Sequence, residues 1–300
     1  MARYVKLSKG KIILCLVLVL VIIALTVTYA NLRNAPGWND IGAAGNSYSE
    51  CISFLDVGQG DSALLKSGGR NAVIDVGTPE GAKALCNKIA SYNVKQIDLL
   101  MFSHNHDDHI GGGEAIAAEY KILNLIFPDL SRTTSPTRII KSVTESVDAY
   151  GGKIYTARLG AYFSVGGIKV TVLFQNSDTT DENDRSVVAM AVFNGNKFLF
   201  TGDAGKSVEK MMLSENIDVD CDVLKVGHHG SSGSSTDEFL AATSPDYAVI
   251  SCGEGNSYKH PHEAALARIE KTGAEIYRTD INGDITFYIK NGELAVTTQK

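Results

Sequence analysis

The chain has 300 residues, 44% hydrophobic and 21% charged, with a formal net charge of -6. That composition supports a buried core and excludes a disordered tail, and the acidic balance argues against gripping nucleic acid by broad cationic attraction, although a local basic groove is not excluded. Five cysteines without a CxxC pair give no sign of a zinc knuckle or a disulfide framework.

Arg3, Lys6, Lys9 and Lys11 precede an uncharged apolar run from Ile12 to Tyr29. Eighteen residues rising about 1.5 Å each nearly span a hydrocarbon layer about 30 Å thick. The basic flank before the run, with none close after it, places the N-terminus in the cytoplasm and the remainder outside. The run is longer than the apolar stretch of a cleaved signal peptide, so residues 1–30 read as an uncleaved, single-pass signal anchor. Secretion after a cut at Thr28-Tyr29-Ala30 is the alternative. Residues 31–49, rich in Asn, Gly, Ala and Ser, read as a linker to one globular domain over 50–300.

From Cys51 onward, short apolar strands alternate with helical stretches. Residues 51–58, 62–68 and 71–77 read as strands joined by glycine turns. Residues 80–92 read as a helix with Ala82, Leu85, Ile89 and Ala90 on one side. Residues 97–104 form a near-continuous apolar run, the pattern of a strand covered on both faces, and 114–120 read as the next helix. Further on, 168–174, 186–193 and 197–203 are strands, the last two joined by a hairpin at Asn194-Gly195-Asn196. A helix over 205–214 and an apolar strand over 221–230 complete the second half.

That half repeats the order of the first. Asp75 and Asp203 each follow an apolar strand, Asp98 stands six residues before His104, and Asp222 stands six before His228. The echo predicts two similar β-rich halves facing each other, helices outside, with the His- and Asp-bearing strand ends opening on one shared edge.

Five of the seven histidines fall in two clusters. The first runs His104-Asn105-His106-Asp107-Asp108-His109 and is followed by three glycines after Ile110. Imidazoles and carboxylates are the ligands a divalent metal needs for hydrolytic work. His104 and His106, two apart in an extended segment, point the same way. Asp108 and His109 lie across the turn into the next helix, so one pair could hold one ion and the other pair a second.

H-x-H-x-D-H after an apolar strand resembles the signature of the metallo-β-lactamase superfamily. The pieces FLDVGQGDSALL, VIDVG, SHNHDDHIGG, NDRSVV, LFTGD, LKVGHHGSSGS and YKHP, in that order, resemble the hydrolase domain of ComEC-type DNA-uptake proteins. The resemblance implies an α/β fold, a four-layer αββα sandwich behind one N-terminal transmembrane helix. It also implies a site for one or two divalent ions, zinc or manganese, along one edge of the sheets. Carried over residue by residue, His104, His106, Asp108 and His109 are ligands, and Asp203 is the carboxylate bridging two ions. A histidine of the His228-His229 pair completes the set. The internal echo aligns His228 with His104, which favours His228 as the ligand and leaves His229 facing the substrate. Asp108 would also orient the nucleophile. His260 resembles the late histidine that binds a phosphate oxygen or protonates the leaving group. The resemblance places Asp56, Asp61 and Asp75 near the site, where each either orients a metal-bound histidine or stabilises a turn.

One departure stands out. Residues 110–202 contain no histidine, where many superfamily members have one, and Asn183 or Asp184 would offer a weaker oxygen ligand instead. Asp203, where some relatives carry cysteine, argues against a β-lactam hydrolase. Arg185, Lys225 and Lys259 are candidates for neutralising substrate charge. The function implied is a metal-dependent phosphodiesterase or nuclease acting on DNA, single-stranded DNA included, at the outer face of the cell membrane. An esterase of envelope phosphodiesters such as phosphocholine-decorated polymers suits the acidic balance, since a nuclease should bring a cationic track. A non-catalytic metal-dependent binding module is the third reading, against which the retained Asp108 and Asp203 argue. No interleaving of aromatic and basic residues marks a strand-binding platform. With one apolar span the chain is no channel, so a role in uptake requires a separate channel partner.

Overall fold

The computed structural model describes residues 48–135 and 137–300. The basic stub, the apolar run Ile12–Tyr29 and the linker up to residue 47 lie outside the described residues. Among those described, no helix is long and apolar enough to cross a membrane.

The first half supplies β1 (Cys51–Phe54), β2 (Ala63–Ser67), β3 (Arg70–Ile74), β4 (Gln96–Ile97), β5 (Leu99–Met101), β6 (Lys121–Ile122), β7 (Asn124–Phe127) and β8 (Lys153–Thr156). The second supplies β9 (Tyr162–Val165), β10 (Ile168–Phe174), β11 (Val188–Phe193), β12 (Asn196–Phe200), β13 (Val223–Lys225), β14 (Tyr247–Ile250) and β15 (Glu275–Arg278). Two last strands, β16 (Ile285–Lys290) and β17 (Glu293–Thr298), return to the first sheet, giving it the order β17-β16-β1-β2-β3-β5-β7-β8. The other sheet runs β15-β14-β13-β12-β11-β10-β9, and β4 and β6 pair separately. The helices are α1 (Ala82–Ser91), α2 (Asp107–Ile110), α3 (Gly113–Glu119), α4 (Arg138–Ala149), α5 (Lys206–Ser214), α6 (Asp237–Thr243), α7 (Glu263–Glu270) and α8 (Thr279–Asn282).

Three apolar seams separate four layers. Alternate residues of the first sheet, among them Ile52, Phe54, Leu65 and Met101, pack on Val170, Ala189, Phe198 and Val223 of the second. The intervening residues face outward, Leu64, Val73 and Leu100 onto α1, α3 and α4 through Leu85, Ile116 and Val143. Leu199 and Leu224 likewise face α5, α6 and α7 through Val208, Phe239 and Ile269. The result is the expected αββα sandwich. It also explains why β5 and β12 carry apolar residues without alternation, because helices cover one face and the opposite sheet covers the other.

The internal repeat holds at the level of single bonds. Asp98 accepts from the Asn71 amide (2.8 Å) and its own amide donates to Asn71 O (2.8 Å). Asp222 accepts from the Lys197 amide (2.6 Å) and donates back to Lys197 O (3.0 Å). Each aspartate locks the start of a parallel pair, β3 with β5 and β12 with β13. The site-bearing loops therefore all follow the C-terminal ends of these strands.

Candidate metal centre

Asp75 follows β3, His104 follows β5 through Ser103, Asp203 follows β12, and His228 and His229 follow β13. After His106 the chain turns into the one-turn helix α2, so Asp108 and His109 project from helical backbone. Residues 58–61 run hard against that helix. Asp61 N donates to Asp108 O (3.1 Å), and a Cβ on Gly60 would stand 2.4 Å from that same oxygen. Gly60 also has φ +140, which L side chains rarely adopt.

Asp203 is the hub. His109 Nε2 lies 3.2 Å from its Oδ1, while Nε2 of His229, His228 and His104 lie 3.5, 3.7 and 4.0 Å from its Oδ2. His229 Nε2 is also 3.2 Å from Asp108 Oδ2, and His106 joins through a 3.0 Å contact between its Nδ1 and His104 Nε2. Residues from both sheets, far apart in sequence, thus converge on one carboxylate. The Ser186 hydroxyl accepts from the Asp203 amide at 3.0 Å and helps set its position.

Behind the rings stand two further carboxylates. Asp75 Oδ2 is 2.8 Å from His109 Nδ1, and the Asp75 carboxylate accepts from the Ser103 amide (2.7 Å) and hydroxyl (2.6 Å). Asp61 Oδ1 is 3.3 Å from His229 Nδ1, which lies 2.9 Å from Ser251 O, and Asp61 Oδ2 holds Lys225 Nζ at 2.7 Å. A partner on Nδ1 fixes ring orientation and leaves Nε2 for a metal. Asp61, His109, Asp203 and His229 offer ligand atoms all within 4.8 Å of one another. Asp61 nonetheless meets the rings on their Nδ1 side and is already paired with Lys225, so its place is behind His229 as an orienting group.

The residues fit a divalent ion. His109 Nε2, His229 Nε2 and Asp203 Oδ1 are buried and make no hydrogen bond of good geometry. Folded proteins rarely leave such groups unpaired in their interior, and imidazole nitrogens with carboxylate oxygens are the donors a divalent metal takes.

Charge follows the same map. Burial raises the Asp203 carboxyl, but His229, His109 and His104 outweigh it and hold it well below the usual range. Burial disfavours the His109 cation, yet Asp203 and Asp75 hold it well above its ordinary value. His229 is pushed up to about 10, with Asp203 and Asp61 overcoming burial. Asp108 is lowered to about 2, the pull of His229 and His109 overcoming burial. His104 moves well below its ordinary value through burial and the neighbouring His109. Burial, His229 and His228 lower His260 to about 4.

A cleft of about 550 Å³ opens over the hub, lined by His106, Asp108, Asn183, Asp203, His228, His229, Tyr258 and His260, with Glu80 and Asp107 exposed beside them. The two adjacent histidines differ in depth, though both bring Nε2 near Asp203. His229 is 1% exposed and sits between Asp108 and Asp203, while His228 is 30% exposed at the cleft. Both adopt left-handed backbone (φ 52 and 49) in the turn Gly227–Gly230, so the strand register shared with His104 does not carry over to the rings. Asn183 lines the cleft with a buried Oδ1 that makes no hydrogen bond. Asp184 instead accepts from Gly205 N (3.3 Å) and the Ser207 hydroxyl at the start of α5, so it is a capping residue. Asp56 accepts from Gly58 N (3.2 Å) and meets Lys300, which is the turn-holding role.

Two of the three candidate cations are unavailable to substrate. Arg185 is fully buried and donates to Asp129 O (2.8 Å) and Thr179 O (2.5 Å), and Lys225 is held by Asp61. Sequence reasoning gave no role to Ser103 and Ser186, although they stand within the quoted SHNHDDHIGG and NDRSVV motifs, and missed Ser251, a single carbonyl-bearing residue with no pattern of its own. It also missed Tyr258, which stands within the quoted YKHP motif.

The family model for the metallo-β-lactamase superfamily matches residues 55–254, two thirds of the chain. Among curated proteins, ComE operon protein 3 of Bacillus subtilis is 29% identical over 260 residues, covering 80% of this chain and 33% of that protein. Competence protein ComA of Neisseria gonorrhoeae is 30% identical over 254 residues, covering 80% and 32%. The chain therefore spans about a third of the length of these ComEC-type relatives. CmlA, a diiron β-hydroxylase from Streptomyces venezuelae, superposes with TM-score 0.56 at 15% identity over 81% of this chain and 55% of that one. The metallo-β-lactamase fold protein YhfI from Bacillus subtilis gives 0.52 at 12% identity, over 82% and 99%. At such identities the solved structures speak for the fold alone, and the family model over two thirds of the chain agrees with the sandwich: the chain belongs to the metallo-β-lactamase superfamily.

Proposed function

We propose that this chain is a divalent-metal-dependent phosphodiesterase that cuts nucleic acid, single-stranded DNA included. The apolar run 12–29 holds its hydrolase domain at the outer face of the cell membrane, and a separate channel partner takes up what is cut. The observation that carries the reading is the buried Asp203 carboxylate faced by the Nε2 atoms of His109, His229 and His228 at 3.2 to 3.7 Å.

His104 and His106 would hold one zinc or manganese position and Asp108, His109 and His229 the other, with Asp203 between them. A divalent ion there supplies water acidic enough to attack near neutral pH and draws charge from the phosphoryl oxygens. The chain's own groups do the rest. Asp75 and Asp61 keep the rings turned toward the cleft, and Asp108 orients the attacking water. His260, at the cleft beside His228 and His229, bonds a phosphate oxygen. The relatives' names place competence among the settings to test.

The full chain loaded with manganese or zinc should cleave single-stranded DNA and bis-p-nitrophenyl phosphate while leaving a β-lactam intact. Asp203→Asn and His104→Ala should each lower the rate at least about 100-fold, the upper end of what even outer-shell changes cost. Full rates in both variants would overturn the reading. The exposed Glu80 and Asp107 beside the cleft favour a second substrate class, an envelope phosphodiester with a cationic headgroup. Turnover of a phosphocholine ester without DNA cleavage would establish it.

A further inference from the structure

We propose that Tyr258 is a stacking platform for the nucleobase beside the scissile phosphate. This rests on the phosphodiesterase reading and narrows its substrate to unpaired strands.

Tyr258 keeps 63% of its surface exposed although it lines the same cleft as Asp108, Asp203 and His229. Its ring lies within 20° of parallel to His260 at 5.7 Å between centroids, and His260 lies within 27° of His229 at 6.1 Å. The tyrosine is thus the outermost step of a ladder of rings that begins at the hub, and its outer face is open.

The loop that carries it is pinned. The Asn256 side chain donates to Gly253 O (2.9 Å) and His260 O (2.6 Å) and accepts from the His260 amide (3.0 Å). His262 accepts from Ser232 N at Nδ1 (3.0 Å), which leaves Nε2 to donate to Tyr258 O (3.2 Å). Such a ring is exposed by construction and needs little ordering when a ligand arrives.

A single open aromatic face fits a flat ring. Bases stack on it whatever their sequence, and an unpaired strand offers base faces that a duplex hides. A quaternary ammonium is held by a cage of several rings, and the outward face here belongs to Tyr258 alone.

The test uses the full chain treated with EDTA and two labelled oligomers of equal length and phosphate count, oligo-dT and an abasic strand, read by fluorescence polarisation. Wild type should bind oligo-dT about tenfold tighter than the abasic strand. That ratio should fall to about one in Tyr258→Ala and persist in Tyr258→Phe, with melting curves confirming that each variant folds. Equal affinity of wild type for the two strands overturns the platform, as does an unchanged ratio in Tyr258→Ala, or Tyr258-dependent binding of phosphocholine in place of DNA. If metal-loaded wild type cleaves both strands with the same kcat/KM, the platform alone is lost. If it binds neither and cleaves no phosphodiester, the phosphodiesterase reading is lost with it.

Discussion

An ion held at the Asp203 hub would depend on the carboxylates that orient the rings around it. Asp75 accepts the proton on His109 Nδ1 and is itself held by the Ser103 amide and hydroxyl. In Asp75→Asn the amide can present an NH₂ to that nitrogen, which favours the wrong tautomer and turns Nε2 away from its ligand role. Metal affinity should fall about 10- to 100-fold, measured by competition with a chromophoric chelator, with little change in secondary structure. Lys225 sits one layer further back, 4% exposed, and neutralises an Asp61 carboxylate that is 7% exposed. Lys225→Met removes the nearest of the charges facing that carboxylate and leaves only the His229 and His109 rings, so urea denaturation should show a loss of up to about 3 kcal/mol. Adding Asp61→Asn should restore part of it. If Lys225→Met unfolds at the same urea concentration as wild type, the ion pair is not what keeps Asp61 behind His229.

Helix α2 is only four residues long, so its position comes from its neighbours. The backbone at Gly60 supplies one of them, with Asp61 N bound to Asp108 O and no room for a Cβ. Gly60→Ala should displace α2 and carry Asp108 and His109 with it. We expect at least a tenfold drop in phosphodiesterase rate with an unchanged circular dichroism spectrum, and an unaltered rate would show that α2 is held by other contacts. What the sequence made legible was local. The unbroken apolar run before His104 marked a strand covered on both sides, and Asn194-Gly195 adopts the positive φ values of a two-residue hairpin turn (49 and 87). The density of His and Asp at 104–109 marked where side chains of metal-binding type gather, and four of them, His104, His106, Asp108 and His109, do meet around Asp203. What stayed hidden depended on contacts between distant residues. Arg185 looked free because Asp129, whose carbonyl it binds, lies 56 positions away. The two roles open to each of Asp56, Asp61 and Asp75 separated only when β3, α2 and β13 came together. The depth of His228 and His229 turned on a left-handed turn that strand periodicity cannot express.

Two sheets packed face to face, with a set of like and unlike charges along one shared edge, also fix how the whole molecule responds to pH. Without metal, His229 titrates near 10 and His109 well above its ordinary value, so both rings are protonated at pH 7. Their folded values are raised, so the stability they contribute is complete below the unfolded histidine value of about 6.5 and disappears as pH climbs through about 10. Asp203, Asp61 and Asp108 are lowered, so their contribution is complete above about 4 and disappears as pH falls. His104, His228 and His260 are lowered, so the folded chain loses stability as pH falls below about 6.5, and the metal-free chain should be most stable near pH 6.5 and lose stability steadily on the alkaline side. A divalent ion takes the place of the Nε2 protons, so loading at pH 7 releases protons and metal affinity rises with pH across the same window. Melting the full chain at pH 6, 8 and 9.5, with EDTA and with manganese, should give a metal-free Tm that falls with pH and a gap between the two forms that widens. Calorimetric titration in two buffers of different ionisation enthalpy should show the proton release directly. A metal-free Tm that rises from pH 6 to 9.5 would mean that His109 and His229 are neutral in the folded chain and that the hub is held together by something other than opposite charge.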